Sequence, residues 1–170
     1  MRYEEFTIEG RNAVIEAYRA GRPIDKLFIL DGCQDGPILT IKREAKAKQT
    51  PVKFVTKERL DQLSETGKHQ GVIAYAAAYE YATVEEILDN ARQKGEAPFL
   101  FLLDNIEDPH NLGAIIRTAN LAGAHGVIVP KNRAAGLTAV VAKTSAGALN
   151  FTPVARVTNL AKTIEELKKE

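Results

Sequence analysis

The chain has no tryptophan, one cysteine and one methionine, and aromatic residues make up only 6% of its 170 residues. Cys33 therefore has no partner for an internal disulfide, and no positively charged start leads into an apolar stretch, so the cytosol is the expected compartment. Long apolar runs are missing as well. A run such as Pro98 to Leu103 falls far short of the ~20 residues a membrane-spanning helix needs. Nor is there an excess of one charge: 23 Lys and Arg against 22 Asp and Glu leave a net +1, so a nucleic-acid partner has to be met by a local patch. What is present, 45% hydrophobic and 26% charged residues, is the composition of a globular protein that buries a real core.

Residues 1–79 read as a small α/β unit. Val14, Ile15 and Tyr18 have helical spacing within Arg11 to Ala20, and Gly21 and Pro23 supply a stop. A strand is expected over Lys26 to Leu30, a helix from Pro37 to Gln49, a strand over Val52 to Val55, a helix from Lys57 to Glu65, and a longer strand from Gly71 to Tyr79. Thr83-Val-Glu-Glu86 is a capping box, so residues 80–97 read as a helical linker or the first helix of a second domain, with the boundary near residue 82.

From residue 98 to 170, strands (Phe99 to Leu103, Gly126 to Val129, Val154 to Val157) alternate with helices (Asn111 to Ala122, Thr138 to Leu149, Asn159 to Lys169). Near-continuous apolar strands joined by helices imply a parallel sheet covered on both faces. Three strands are few for such a sheet and the last helix has no C-cap, so the sequence is expected to be part of a longer protein.

Between the first strand and helix of this half lies a polar loop with Asp104, Asn105, Glu107, Asp108, His110 and Asn111. Ligands of open α/β sheets sit beyond the carboxyl ends of the strands, which is where this loop falls. Taken singly, Asp108 and Asn111 read as helix caps in preference to site residues, with Pro109 in the first turn; the cluster as a whole is less easily read so. Ile115, Ile116, Ala119 and Ala122 are the expected sheet-facing stripe. Arg117 then lies above Gly113, which leaves room for the guanidinium to reach back toward His110 and Asn111, or to pair with Glu107 or Asp108.

The stretch Asp104 to Ala119, D-N-x-x-D-P-x-N-x-G-x-x-x-R-T-A, resembles the first motif of the TrmH branch of the SPOUT methyltransferases. Gly123-Ala-His-Gly-Val-Ile-Val-Pro130 and Lys143-Thr-Ser-Ala-Gly-Ala-Leu149 continue the likeness. Gly10-Arg-Asn-Ala-Val14 and His69-Gln-Gly-Val72 resemble the amino-terminal substrate-binding domain of the ribosomal-RNA members. The resemblance implies an α/β/α RNA-binding domain followed by the first part of a parallel-sheet α/β-knot domain. It also implies a homodimer and methyl transfer from S-adenosylmethionine to a ribose 2′-hydroxyl, with a guanosine of 23S ribosomal RNA the expected target. Carried over by position, Arg117 matches the arginine that activates the hydroxyl, and Asn111 the asparagine that shapes the same site. An arginine is a poor base because its pKa exceeds ~12, so Arg117 acts either as a base depressed by its site or as an anchor for the adjacent phosphate. The family's Gly-x-Glu and Ser-Leu-Asn motifs, which form the knot and most of the cofactor pocket, are expected beyond residue 170, so these residues alone are expected to be inactive.

For RNA contact, seven Lys or Arg stand against Glu44 and Glu58 between Lys42 and Arg59, with Lys42, Arg43 and Lys46 on the expected helix. Arg11, Asn12, His69 and Gln70 are the other candidates, placed at element starts where side chains are expected to be free. His110 and His125 lack partners at metal-ligand spacing, so no metal is expected. No G-x-G-x-x-G occurs, which disfavours a dinucleotide enzyme. A non-catalytic RNA-binding protein and a nucleotide-dependent enzyme acting on a small molecule remain the alternatives.

Overall fold

In the computed structural model, which describes residues 6–169, the first element is a strand that the sequence pattern did not disclose: β1, Phe6–Glu9. Gly10 follows at φ 90, a left-handed value suited to glycine, and turns the chain into helix α1, Arg11–Arg19. Strand β2 (Ile24–Leu30), helix α2 (Gly36–Lys48), strand β3 (Val52–Val55), helix α3 (Lys57–Leu63) and strand β4 (Val72–Ala76) complete a unit that ends at Ala78. Asp35 caps α2 by accepting from the Ile38 amide, and Thr56 caps α3 by accepting from that of Arg59.

The sheet order is β1-β4-β2-β3, antiparallel except for the β2–β3 pair. Leu27, Ile29, Val72 and Ala74 point to one face, where α1 contributes Val14 and Tyr18 and α2 contributes Ile38 and Ile41. Phe28 and Ile73 point to the other, against Leu60 of α3. The unit thus has the α/β/α layering implied by the resemblance. Strand β4 is shorter than expected, stopping at Ala76 instead of Tyr79. Its partner β2 begins at Ile24, paired with Ala76, and the Ala77 amide then donates to the Pro23 carbonyl at 2.9 Å, outside β2.

In the second unit, helix α4 (Val84–Lys94) carries the complete Thr83/Glu86 capping box and ends at left-handed Gly95. Of the two readings of residues 80–97, packing favours the first helix of the second domain over a linker. Ile87 is buried with Ile128 and Ala155, and a Cβ on Gly126 would come within 2.6 Å of Ile87. Strands β5 (Leu100–Leu102), β6 (Gly126–Pro130) and β7 (Val154–Val157) form the expected parallel sheet, and Ala82 adds a bridge to Ala155. Helices α5 (Pro109–Leu121) and α6 (Ala139–Thr144) cover the Val127/Val129 face, and α4 with α7 (Leu160–Leu167) covers the Ile128 face.

The helix expected over 138–149 is broken. Regular helix ends at Thr144, left-handed Ala146 and Gly147 follow, and a 3-10 turn takes up Ala148–Asn150. The Thr144 hydroxyl donates to the Val140 carbonyl at 2.8 Å and that of Ser145 to the Ala142 carbonyl at 2.9 Å, local bonds that compete with the helical ladder.

One carboxylate fastens the first unit's longest loop. Glu9 accepts from the Ser64 hydroxyl at 2.5 Å, the Thr66 hydroxyl at 2.7 Å, and the Glu65 and Thr66 amides at 2.6 and 3.2 Å. Partial burial pushes this carboxyl up, but the two hydroxyls and two amides together outweigh it and bring it from 4.5 down to about 2. A carboxylate that titrates lower folded than unfolded stabilises the fold above the unfolded value and loses that contribution as pH falls through the folded one. Glu9→Gln is therefore expected to cost ~1–2 kcal/mol at neutral pH. In urea titrations it should also flatten the decline of stability between pH 4.5 and 2 relative to the parent chain.

Candidate active site and RNA surface

The loop at the carboxyl end of β5 is held by its own backbone. Asn105 is left-handed at φ 54, the Glu107 amide donates to the Asn105 carbonyl at 3.2 Å, and the Ala135 amide from the loop after β6 donates to the Ile106 carbonyl at 2.7 Å. Asp108 is the N-cap of α5, accepting from the amides of His110 at 2.7 Å and Asn111 at 3.4 Å, while Asn111 lies inside the helix. Asp104 accepts from the Asn105 amide group at 3.3 Å. Asp104, Asn105, Glu107, Asp108, His110 and Asn111 are all exposed.

The buried face of α5 is Leu112, Gly113, Ile116 and Ala119; Ile115 is half-buried and Ala122 exposed, so the expected stripe is rotated. This changes the role of Gly113. A Cβ there would lie 1.8 Å from the Thr144 hydroxyl oxygen and 3.0 Å from the Ser145 amide nitrogen. The absent side chain therefore admits the end of α6, and does not clear a path for Arg117. The first motif's Gly113 and the later Lys143-Thr-Ser-Ala-Gly-Ala-Leu149 stretch are two halves of one contact.

Arg117 is exposed, and its side chain forms no hydrogen bond or ion pair among the described residues. Neither Glu107 nor Asp108 pairs with it, and it does not reach His110 or Asn111. At 100° per residue, Arg117 and Asn111 lie ~120° apart around α5, so the two flank different sides of it. Asn111 borders an open groove of about 370 Å³ with Phe101, Ile106, Ala114, Ile115 and Thr118. Arg117 lies one turn beyond Gly113, at the margin of the α6 contact.

In the first unit the RNA candidates separate into tied and free side chains. His69 is 7% exposed; its Nδ1 accepts from the Gly71 amide at 3.0 Å and its Nε2 faces Asp61 at 2.9 Å. The expectation that His69 is free at an element start is thus corrected, because Gly71 and Asp61 occupy both ring nitrogens. Arg11 pairs with Asp35 at 2.7 Å and donates from Nε to the Gln70 carbonyl at 3.0 Å. The Gln70 side chain in turn accepts from the Arg11 amide at 3.3 Å, which stitches the β1–α1 turn to the loop before β4. Asn12, Arg43 and Lys46 are exposed, and Lys42 is half-buried, donating to the Cys33 carbonyl at 2.9 Å. The Cys33 thiol donates to Asp35 at 3.2 Å beside Arg11.

No group of three or more His, Cys, Asp or Glu that could hold a metal ion occurs among the described residues. Sequence reasoning missed His125 as a structural residue. It is 3% exposed, accepting from the Phe99 amide at 3.0 Å and facing Glu96 at 2.9 Å, an arrangement like that of His69. Its place in the apolar Gly123 to Pro130 stretch was the available signal.

Residues 7–82 match the family model described as RNA 2′-O ribose methyltransferase substrate binding, and residues 98–170 match that of the SpoU rRNA methylase family. The chain belongs to the SpoU/TrmH methyltransferase family. It is 48% identical over 160 residues to a Bacillus subtilis protein assigned to the TrmH family of tRNA/rRNA methyltransferases, covering 94% of this chain and 64% of that one. It is 47% identical over 165 residues to a counterpart from Staphylococcus epidermidis, covering 97% and 66%. The chain thus spans less than two thirds of the length of these relatives. An rRNA methyltransferase from Sinorhizobium meliloti with bound AdoMet aligns with 96% of this chain and 58% of its own, at 25% identity and a TM-score of 0.44. In the SpoU/TrmH chain described here, the exposed polar set of the first motif is Asp104, Asn105, Glu107, Asp108, His110, Asn111, Arg117 and Thr118.

Gly113→Ala is expected to destabilise the chain by ~1–3 kcal/mol through overpacking. Adding Thr144→Ala should restore only part of that in thermal melts, since the Ser145 amide still crowds the new methyl. Arg117→Ala is expected to shift stability by less than ~0.5 kcal/mol. His69→Ala, which removes the acceptor for a buried amide, is expected to cost ~1–3 kcal/mol by the same measurement.

Proposed function

We propose that this chain is part of an RNA ribose 2′-O-methyltransferase that takes its methyl group from S-adenosylmethionine and acts as a homodimer on a guanosine of 23S ribosomal RNA. The observation that carries the reading is Arg117, an exposed cation with no partner among the described residues, on a helix whose position is set by the Gly113–Thr144 contact. Family membership supports it, with a substrate-binding match and a methylase match in that order along the chain.

The reaction joins a 2′-oxygen to a methyl carbon as the carbon–sulfur bond breaks, and the hydroxyl proton must leave. Positioning supplies much of such a barrier reduction. Arg117 serves as an anchor for the phosphate beside the reacting ribose, since a permanently charged guanidinium presents paired donors to phosphate oxygens and is a poor base. Asn111, at the groove beside the site loop, orients the ribose. The described residues do not themselves fit S-adenosylmethionine: the groove at Asn111 is open and lined mainly by apolar side chains, with no carboxylate to meet the ribose or the amino acid end. These 170 residues alone are therefore expected to bind RNA without transferring a methyl group.

The test compares this chain with the longer protein that contains it. Calorimetry on the 170-residue chain is expected to show no S-adenosylmethionine binding at micromolar concentration; binding there overturns its assignment as inactive. The longer protein is expected to form 2′-O-methylguanosine in ribosomal RNA, and Arg117→Ala to lower the rate ~100-fold or more with an unchanged melting temperature. A longer protein that binds ribosomal RNA without methylating it moves the assignment to the binding-only reading.

A further inference from the structure

Phe54 lies on β3, at the edge of the first sheet, and is 54% exposed. A large apolar side chain on an edge strand is a liability unless something covers it. Here a cation does so in part: Lys42 of α2 sets its Nζ 5.1 Å from the centre of the Phe54 ring while donating to the Cys33 carbonyl at 2.9 Å. The ring is thereby held between the strand edge and the helix. Leu39, one turn earlier on α2, is likewise 54% exposed.

The surroundings are strongly cationic, with the seven Lys or Arg between Lys42 and Arg59 opposed by Glu44 and Glu58 alone. Lys46, Lys48 and Lys53 are exposed and form no ion pair among the described residues. A protein partner fits poorly, since the cores of protein interfaces are depleted in lysine. An anionic chain carrying flat rings fits both features, the lysines meeting phosphates and the phenyl face meeting a base.

We propose that Phe54, steadied by Lys42, is a stacking platform for an unpaired base of the RNA substrate, with Lys46 and Lys48 of the same helix contacting the flanking phosphates. The proposal rests on the RNA reading above and narrows it. In a duplex every base face is already stacked, so the platform selects a loop, bulge or strand end over a continuous helix. It also moves the recognition surface away from Arg11, Gln70 and His69, whose side chains are engaged within the protein.

Because the chain has no tryptophan, Phe54→Trp gives it a single fluorescent reporter at the platform. The 170-residue chain is titrated with an RNA hairpin that has an unpaired loop and with a blunt duplex of the same stem. F54W is expected to keep the parent affinity for the hairpin, with its emission quenched on binding. F54I, which keeps apolar bulk and strand propensity but has no ring, is expected to lose ~10-fold in hairpin affinity while duplex binding and melting temperature stay unchanged. K46A/K48A is expected to weaken both RNAs and lower the salt slope by ~2. Unchanged hairpin binding by F54I, an equal loss on both RNAs, or unquenched F54W overturns the platform while leaving RNA binding intact. A parent dimer that F54I converts to monomer in sedimentation overturns it too, assigning the ring to an interface between copies. Failure of the parent chain to bind either RNA overturns the RNA reading itself.

Discussion

Between Gly113 and the end of α6 there is no space for a methyl group, and the face of the second unit that carries the candidate site is arranged around that contact. The bare Cα lets Thr144 lie against α5, where its hydroxyl bonds back into its own helix and approaches the Pro109 carbonyl at 3.5 Å. With α5 fixed on one side by α6 and on the other by Val127 and Val129, its remaining surface is free for chemistry. Interiors packed this tightly transmit displacement, so a shift at Thr144 is felt at Asn111 and Arg117 alike. The side chains that define the site are thus exposed on a backbone held by residues that are not.

The first unit follows the same division of labour by different means. Glu9, His69, Arg11 and Gln70 use polar groups to hold the loop between α3 and β4, and each of these bonds is internal to the fold. The free charge lies elsewhere, along α2 and β3. A residue can match a family pattern because it shapes the fold, as His69 does with both ring nitrogens engaged. Phe54 lies outside the motifs that carry the resemblance and is exposed.

The layering of both units was legible in the sequence because it depends on periodicity. Val14 and Tyr18, Val127 and Val129, and the Thr83 to Glu86 capping box each announce an element by spacing alone. Strand β1 escaped because Phe6–Glu9 is four residues long and its pairing with β4 lies some seventy residues away, beyond the reach of a local pattern. The break after Thr144 escaped because Ala, Val, Lys and Leu are all compatible with helix, and what ends it is hydroxyl bonding and left-handed backbone at Ala146. The motif around Arg117 was readable as a candidate site, and Asp108 within it as a helix cap. That Gly113 answers to Thr144 is a tertiary fact that a one-dimensional pattern merges with the chemistry.

The seating of α4 has a consequence for how the second unit forms. Ile87 closes on Ile128 and Ala155, and the Ala82 amide donates to the Val154 carbonyl, so the helix that comes first in the unit is held by the strand that comes last. During synthesis α4 leaves the ribosome with its cap complete but its apolar stripe covered only in part, by β5 and β6, until β7 has been made. Closing that loop carries an entropic cost that only the finished sheet repays. The growing chain is therefore most open to aggregation or chaperone capture while β5 and β6 are out and β7 is still inside the exit tunnel.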